Sequence, residues 1–122
     1  MLIDEIRTFL NDYFEVLQTQ DMQIFDRVFH KDCVLYSEQD GATVVRPFAA
    51  YREMVQGREA PAIGNFPRSE ELLLVDFLSP TMVMVKVRLR LFNNFMEDHL
   101  NLMKHDGHWM IYAKHFYRIG SI

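Results

Sequence analysis

Apolar and polar residues alternate strictly over the stretch from Met82 to Phe92. Val83, Val85, Val87, Leu89 and Leu91 fall on one side of a strand, and Met82, Met84, Lys86, Arg88 and Arg90 on the other. Leu72 to Leu78 is a strand before it, reversed by Ser79-Pro80-Thr81, and two further strands follow, separated by Asn93-Asn94 and by Asp106-Gly107. With Asn93-Asn94 as a two-residue type I′ turn, Leu89 opposes Asp98, Val87 opposes Leu100 and Val85 opposes Leu102, while Arg90 meets Glu97 on the outer face. With Asp106-Gly107 as a second such turn, Leu102 opposes Ile111, Leu100 opposes Ala113 and Asp98 opposes His115. The two turns together predict one apolar face that carries a carboxylate, with Leu89 and His115 beside it.

The first half of the chain supplies cover for that face. Leu2, Ile6, Phe9, Leu10, Tyr13, Phe14 and Leu17 recur at three- and four-residue spacing, which predicts an amphipathic helix. Asp21 is placed as the N-cap of a short second helix with the stripe Met22, Phe25, Val28 and Phe29, ended by His30-Lys31-Asp32. Cys33 to Ser37 and Thr43 to Val45 flank Asp40-Gly41 and predict a hairpin. Pro47 fits the first position of a third helix, where its missing N–H is harmless, and Phe48, Tyr51, Met54 and Val55 continue the helical spacing to Gly57. Residues 57–67 hold two glycines and two prolines and read as a loop over a cavity mouth.

A chain of 122 residues is the size of one domain, and no repeat or linker divides residues 1–122. At 49% hydrophobic and 25% charged, its composition argues against disorder and against a coiled coil. Ten Phe and eight Met suit an adaptable core or the walls of a ligand cavity. The formal charge of −4 disfavours nucleic acid as a partner. Cys33, the single cysteine, has no partner for a disulfide, so a reducing cytoplasm is expected, and no segment reads as a signal peptide or membrane span. His30, Asp32, His105, Asp106 and His108 lack metal-ligand spacing, and there is no glycine-rich phosphate loop or nucleophile elbow. No metal or other cofactor is therefore expected.

The run Phe95-Met96-Glu97-Asp98-His99-Leu100-Asn101-Leu102-Met103, followed by Gly107-His108-Trp109-Met110-Ile111 and Lys114-His115-Phe116, resembles the putative lumazine-binding family of the nuclear transport factor 2-like superfamily. Asp21, Phe29-His30-Lys31-Asp32 and Asp40-Gly41 are similar as well. His115 departs from the pattern, which has an apolar residue there. The resemblance implies an α+β, cone-shaped fold in which three helices from the N-terminal half pack on a strongly curved, mixed but mainly antiparallel sheet, leaving a pocket. It also implies a homodimer in many cases. Superfamily relatives include ketosteroid isomerases, scytalone dehydratases and polyketide cyclases as well as binders without activity, and no catalytic set carries over.

Asp98 and His115 are the candidate catalytic residues. A carboxylate among leucines has to be paired, hydrogen-bonded, hydrated or protonated. In a pocket the pair can move a proton, or a protonated Asp98 can donate to a developing oxyanion; equally, the two can form a structural hydrogen bond that closes the cone. Tyr13, Tyr36, Tyr51 and Met54 come from separate elements predicted to line the same space and are the candidate contacts for a small apolar or aromatic molecule. Trp109, opposite Lys104, reads as packing. His99, Lys114, Lys86, Arg88 and Arg90 are expected on the outer face with Met84, Met103, Met110, Tyr112 and Phe116. That face is too apolar to stay in water and predicts a homodimer. Two functions follow: a metal-free isomerase, dehydratase or cyclase, or a binding and assembly module without catalysis.

Overall fold

The computed structural model describes residues Met1–Ile122. Helix α1 (Leu2–Thr19) is followed by α2 (Met22–Val28), β1 (Phe29–Gln39), β2 (Ala42–Pro47), α3 (Phe48–Gln56), β3 (Glu70–Ser79), β4 (Met82–Leu91), β5 (Asn94–His105) and β6 (His108–Ser121). The strands form one mixed sheet in the order β2-β1-β6-β5-β4-β3. Only β1 and β6 run parallel. The result is the α+β cone, with the sheet not closed into a barrel.

Each helix buries the stripe its spacing requires. From α1, Ile6, Phe9, Leu10, Tyr13, Val16 and Leu17 enter the core; α2 contributes Phe25 and Val28, and α3 contributes Tyr51 and Val55. The sheet answers with Val83, Val85, Val87 and Leu89 from β4, Leu100 and Leu102 from β5, and Trp109 and Ile111 from β6. Asp21 caps α2 as its chemistry demands, its Oδ1 accepting from the Gln23 and Ile24 amides. Gln20, left-handed at φ 55° where α1 ends, donates from Nε2 to the Val55 and Arg58 carbonyls and so ties α1 to the end of α3. No helix is long and apolar enough to cross a bilayer.

Two features of the meander differ from the expected register. The β4–β5 turn is Phe92-Asn93, not Asn93-Asn94, because Leu91 pairs with Asn94. Val87 therefore faces Asp98, Val85 faces Leu100, Val83 faces Leu102, and Glu97 meets Arg88 in place of Arg90. Phe92 adopts φ 56°, an unfavourable value for an aromatic residue. Its ring is held edge-on by Phe66 at 5.3 Å and lies under the Arg58 guanidinium, packing that offsets the backbone strain. An offset of two residues is one full side-chain period, so every side chain keeps its face.

The second difference is a bulge. Asp106-Gly107 forms the expected turn, with φ of 50° and 80°, and Leu102 pairs with Ile111 as predicted. Asn101, however, pairs with Ala113, leaving Tyr112 as an extra residue on β6. Beyond Tyr112 the parity of β6 reverses: Leu100 meets Lys114, His99 meets His115 and Asp98 meets Phe116. This one inserted residue decides the chemistry of the interior.

Candidate functional site

Asp98 lies in the middle of β5, on the face covered by the helices, and is 1% exposed. Its Oδ2 accepts a 2.6 Å hydrogen bond from the Tyr13 hydroxyl of α1. The Lys114 ammonium stands 3.8 Å from the same oxygen, close enough for charge pairing but beyond direct hydrogen-bond reach, and Lys114 is itself only 5% exposed. Three rings surround that ammonium: its nitrogen lies 5.1 Å from the Tyr13 centroid, 5.6 Å from Phe116 and 5.7 Å from Tyr51. Cation–π attraction and the Asp98 carboxylate together make a buried lysine tenable. Burial, reinforced by the Asp98 charge, pushes the Tyr13 phenol well above its ordinary pKa, so it stays a hydrogen-bond donor.

The other carboxylate oxygen, Asp98 Oδ1, is buried and has no hydrogen-bond partner. A buried polar atom left unpaired costs about 1–3 kcal/mol, more when charged, so native proteins rarely keep one without a use. Asp98 and Lys114 line a cavity of about 200 Å³. Its apolar walls come from Leu17 on α1, Leu35 on β1, Tyr51 and Met54 on α3, Leu89 and Leu91 on β4, Met96 on β5 and Phe116 on β6. Gln39, Arg46, Arg58, Phe92, Asn94 and Arg118 complete the lining. Lys114 also acts on Cys33, which is buried; burial pushes its thiol up to about 11, a rise that the lysine charge partly opposes.

Of the six residues expected at the site, Asp98, Tyr51 and Met54 line this cavity. Tyr13 is fully buried behind it and reaches the site through its bond to Asp98. His115 and Tyr36 do not belong to it. The Tyr112 bulge turns His115 to the outer face, where it is exposed, opposite His99 and edge-on to Tyr36 at 5.5 Å. Tyr36 is 38% exposed on that side of β1. The partner of Asp98 is thus Lys114, not His115, and Lys114 is not among the outer-face charges. Phe116 likewise moves inward, against the core. One signal in the sequence bears on this: Met110-Ile111-Tyr112-Ala113 is continuously apolar, so alternation gives no parity beyond it.

Tyr36, Glu97, His99, Lys86 and His115 line a larger depression of about 470 Å³ on the outer face. It is an open groove between solvated side chains, with Glu97 already engaged by Arg88 at 2.7 Å and Lys86 at 3.8 Å. The smaller interior cavity has the apolar walls and is lined by Asp98, the residue with the unpaired oxygen, and it is the better site. Trp109 is anchored at the opposite end, where its ring lies near Lys104 and its indole N–H donates to Glu5.

The cone with its helix-covered cavity is the fold seen in nuclear transport factor 2-like proteins. An NTF2-like protein of unknown function from Shewanella baltica superposes with a TM-score of 0.83 at 17% identity, covering 98% of this chain and 94% of that one. A ketosteroid isomerase-like protein from Erwinia carotovora atroseptica gives 0.72 at 14% identity, with 94% of each chain covered. A putative scytalone dehydratase from Novosphingobium aromaticivorans gives 0.68 at 19% identity, covering 98% and 85%. At these identities the likeness is one of fold. The chain belongs to the putative lumazine-binding family, whose model matches residues 2–117. No curated protein matches it.

Proposed function

We propose that the protein binds a small ring-bearing molecule in the interior cavity, against Asp98 and Lys114. The observation that carries this reading is Asp98 Oδ1, a buried carboxylate oxygen without a partner on a residue that lines the cavity. A ligand N–H or O–H would satisfy it. The volume, about 200 Å³, lies below the ~300–1,000 Å³ of drug-sized sites and suits one or two rings. The lumazine in the family's description agrees with a ring ligand. The test is to denature the purified protein and identify released compounds by mass spectrometry, beside a Met54→Trp variant whose indole fills the cavity. A compound released by the wild type and absent from the variant supports the reading; equal amounts from both would sink it.

A second reading, favoured by the free oxygen beside a buried cation, is proton transfer. Asp98 Oδ1 would take a proton from a bound substrate while the Lys114 ammonium stabilises the developing oxyanion, in an isomerase, dehydratase or cyclase without a metal. Asp98→Asn should then abolish turnover of an identified substrate yet keep its binding. Turnover that survives the substitution contradicts it.

The same proposal places the protein in the cytoplasm as a homodimer joined through the outer sheet face. Met84, Met110 and Tyr112 are half-buried there, and Met103 is 38% exposed. Met84, Met103 and Tyr112 line an apolar depression shared with Phe77, Leu78 and Met82. A second copy presents the same methionines, which adapt to one another across a two-fold axis. Met103→Glu should halve the mass in solution, and an unchanged mass would refute this interface.

A further inference from the structure

Four cationic side chains line the interior cavity, Lys114, Arg46, Arg58 and Arg118, against one carboxylate, Asp98, in a chain whose formal charge is −4. Asp98 and Lys114 pair with each other, which leaves three guanidinium groups. Of the six arginines elsewhere, four are matched, Arg27, Arg52, Arg68 and Arg88 each having a carboxylate within 4.0 Å, while Arg7 and Arg90 have none. The cavity arginines have none. They come from different elements, β2, the segment after α3, and β6. Two are held by aromatic rings rather than by anions, Arg46 over Phe116 at 5.8 Å and Arg58 over Phe92 at 5.3 Å, and Arg58 is braced by Gln20 Oε1 at 2.7 Å. Stacking fixes a guanidinium plane while leaving its edge N–H groups free for an oxyanion.

We propose that the ligand is a ring compound carrying a carboxylate or phosphate. The oxyanion is held by Arg46, Arg58 and Arg118, the ring lies between the apolar walls, and an N–H or O–H at its inner end donates to Asp98 Oδ1. This rests on the cavity being a ligand site and adds the charge of the occupant. The lining offers what a neutral ligand would not use, guanidinium groups without carboxylate partners, together with a carboxylate whose Oδ1 has no donor. An anion placed there also relieves repulsion among the three like charges.

The test compares naphthoate, naphthyl phosphate and the neutral naphthamide by calorimetric titration, on the wild type and on Arg46→Met, Arg58→Met and Arg118→Met. Binding of either anion at least about tenfold tighter than naphthamide is expected, weakening as salt rises. The tighter anion identifies the head group. Each Arg→Met should weaken anion binding about three- to tenfold and leave naphthamide unchanged. Arg118 is exposed and its side chain makes no hydrogen bond or ion pair to the fold, so its variant reads charge alone even if loss of the Gln20 contact disturbs Arg58→Met. Naphthamide binding as tightly as the anions, with no effect of the arginine variants, would overturn the anion and leave the cavity a ligand site. Failure of all three compounds to bind would overturn both.

Discussion

Replacing Lys114 by Met keeps the length and packing of the side chain but removes the ammonium from beside Asp98. At a separation of 3.8 Å, two unit charges attract by roughly 4 kcal/mol when the effective dielectric is about 20. Both side chains are almost fully buried, so solvent screens little of this. What remains in the variant is a carboxylate held by Tyr13 alone, and breaking such a pair from one side costs about 3–5 kcal/mol. For a chain of this size that corresponds to a fall of roughly 10–20 °C in melting temperature. Asp98→Asn added to Lys114→Met should recover most of the loss, because the amide oxygen still accepts from Tyr13 and no charge is stranded. Urea denaturation of the wild type, both single variants and the double variant gives the coupling energy directly. A Lys114→Met protein within about 0.5 kcal/mol of wild type, or a double variant no better than the single, would refute the pairing.

Tyr13→Phe removes the one hydrogen bond that Asp98 accepts, and equilibrium unfolding should show a loss of about 1.5–3 kcal/mol, with no loss if the hydroxyl is idle. The Cys33 thiol, pushed up to about 11 from an ordinary 9.0, keeps its proton in the folded chain while the unfolded chain sheds it. Stability should therefore be undiminished by this group below pH 9.0 and fall as pH rises through about 11; the raised Tyr13 phenol acts in the same direction. Denaturation measured at several alkaline pH values should show a shallower decline for Cys33→Ala, and identical slopes would contradict the assignment. Gly107 sits at φ 80° in the turn that fixes β5 against β6, so Gly107→Ala should cost on the order of 1 kcal/mol in the same assay.

Much of this fold is written locally. Helical spacing marks α1 through Ile6, Phe9, Leu10, Tyr13 and Leu17, and all five are buried. The alternation on β4 sends Val83, Val85, Val87 and Leu89 inward as read. The β4–β5 turn was displaced by one residue on each side, yet the faces survived because a two-residue offset preserves parity. Phe92 takes the turn position because of Phe66 and Arg58, contacts distant in sequence that no local propensity encodes.

The site was legible only in part, for a related reason. Asp98 on the apolar face follows from alternation, but its partner depends on parity after Tyr112. A bulge inside a continuously apolar run changes that parity without any turn residue to mark it. His115 and Lys114 are adjacent, so a single inserted residue exchanged an exposed imidazole for a buried ammonium. Tyr36 is expected at the cavity together with Tyr13 and Tyr51, whereas Leu35 is the apolar residue of β1 that lines it. The arginines at the lining come from three separate segments and come together only in the folded chain.

The methionines offer the most direct test of where a ligand binds. Met54 and Met96 line the interior cavity, while Met82, Met84 and Met103 line the outer depression. Methyl-labelled methionine spectra recorded during titration with naphthoate should show the Met54 and Met96 resonances moving together and saturating, with the three outer methyls fixed. Movement confined to the outer methyls, or no movement in any, would contradict a ligand site built on Asp98 and Lys114.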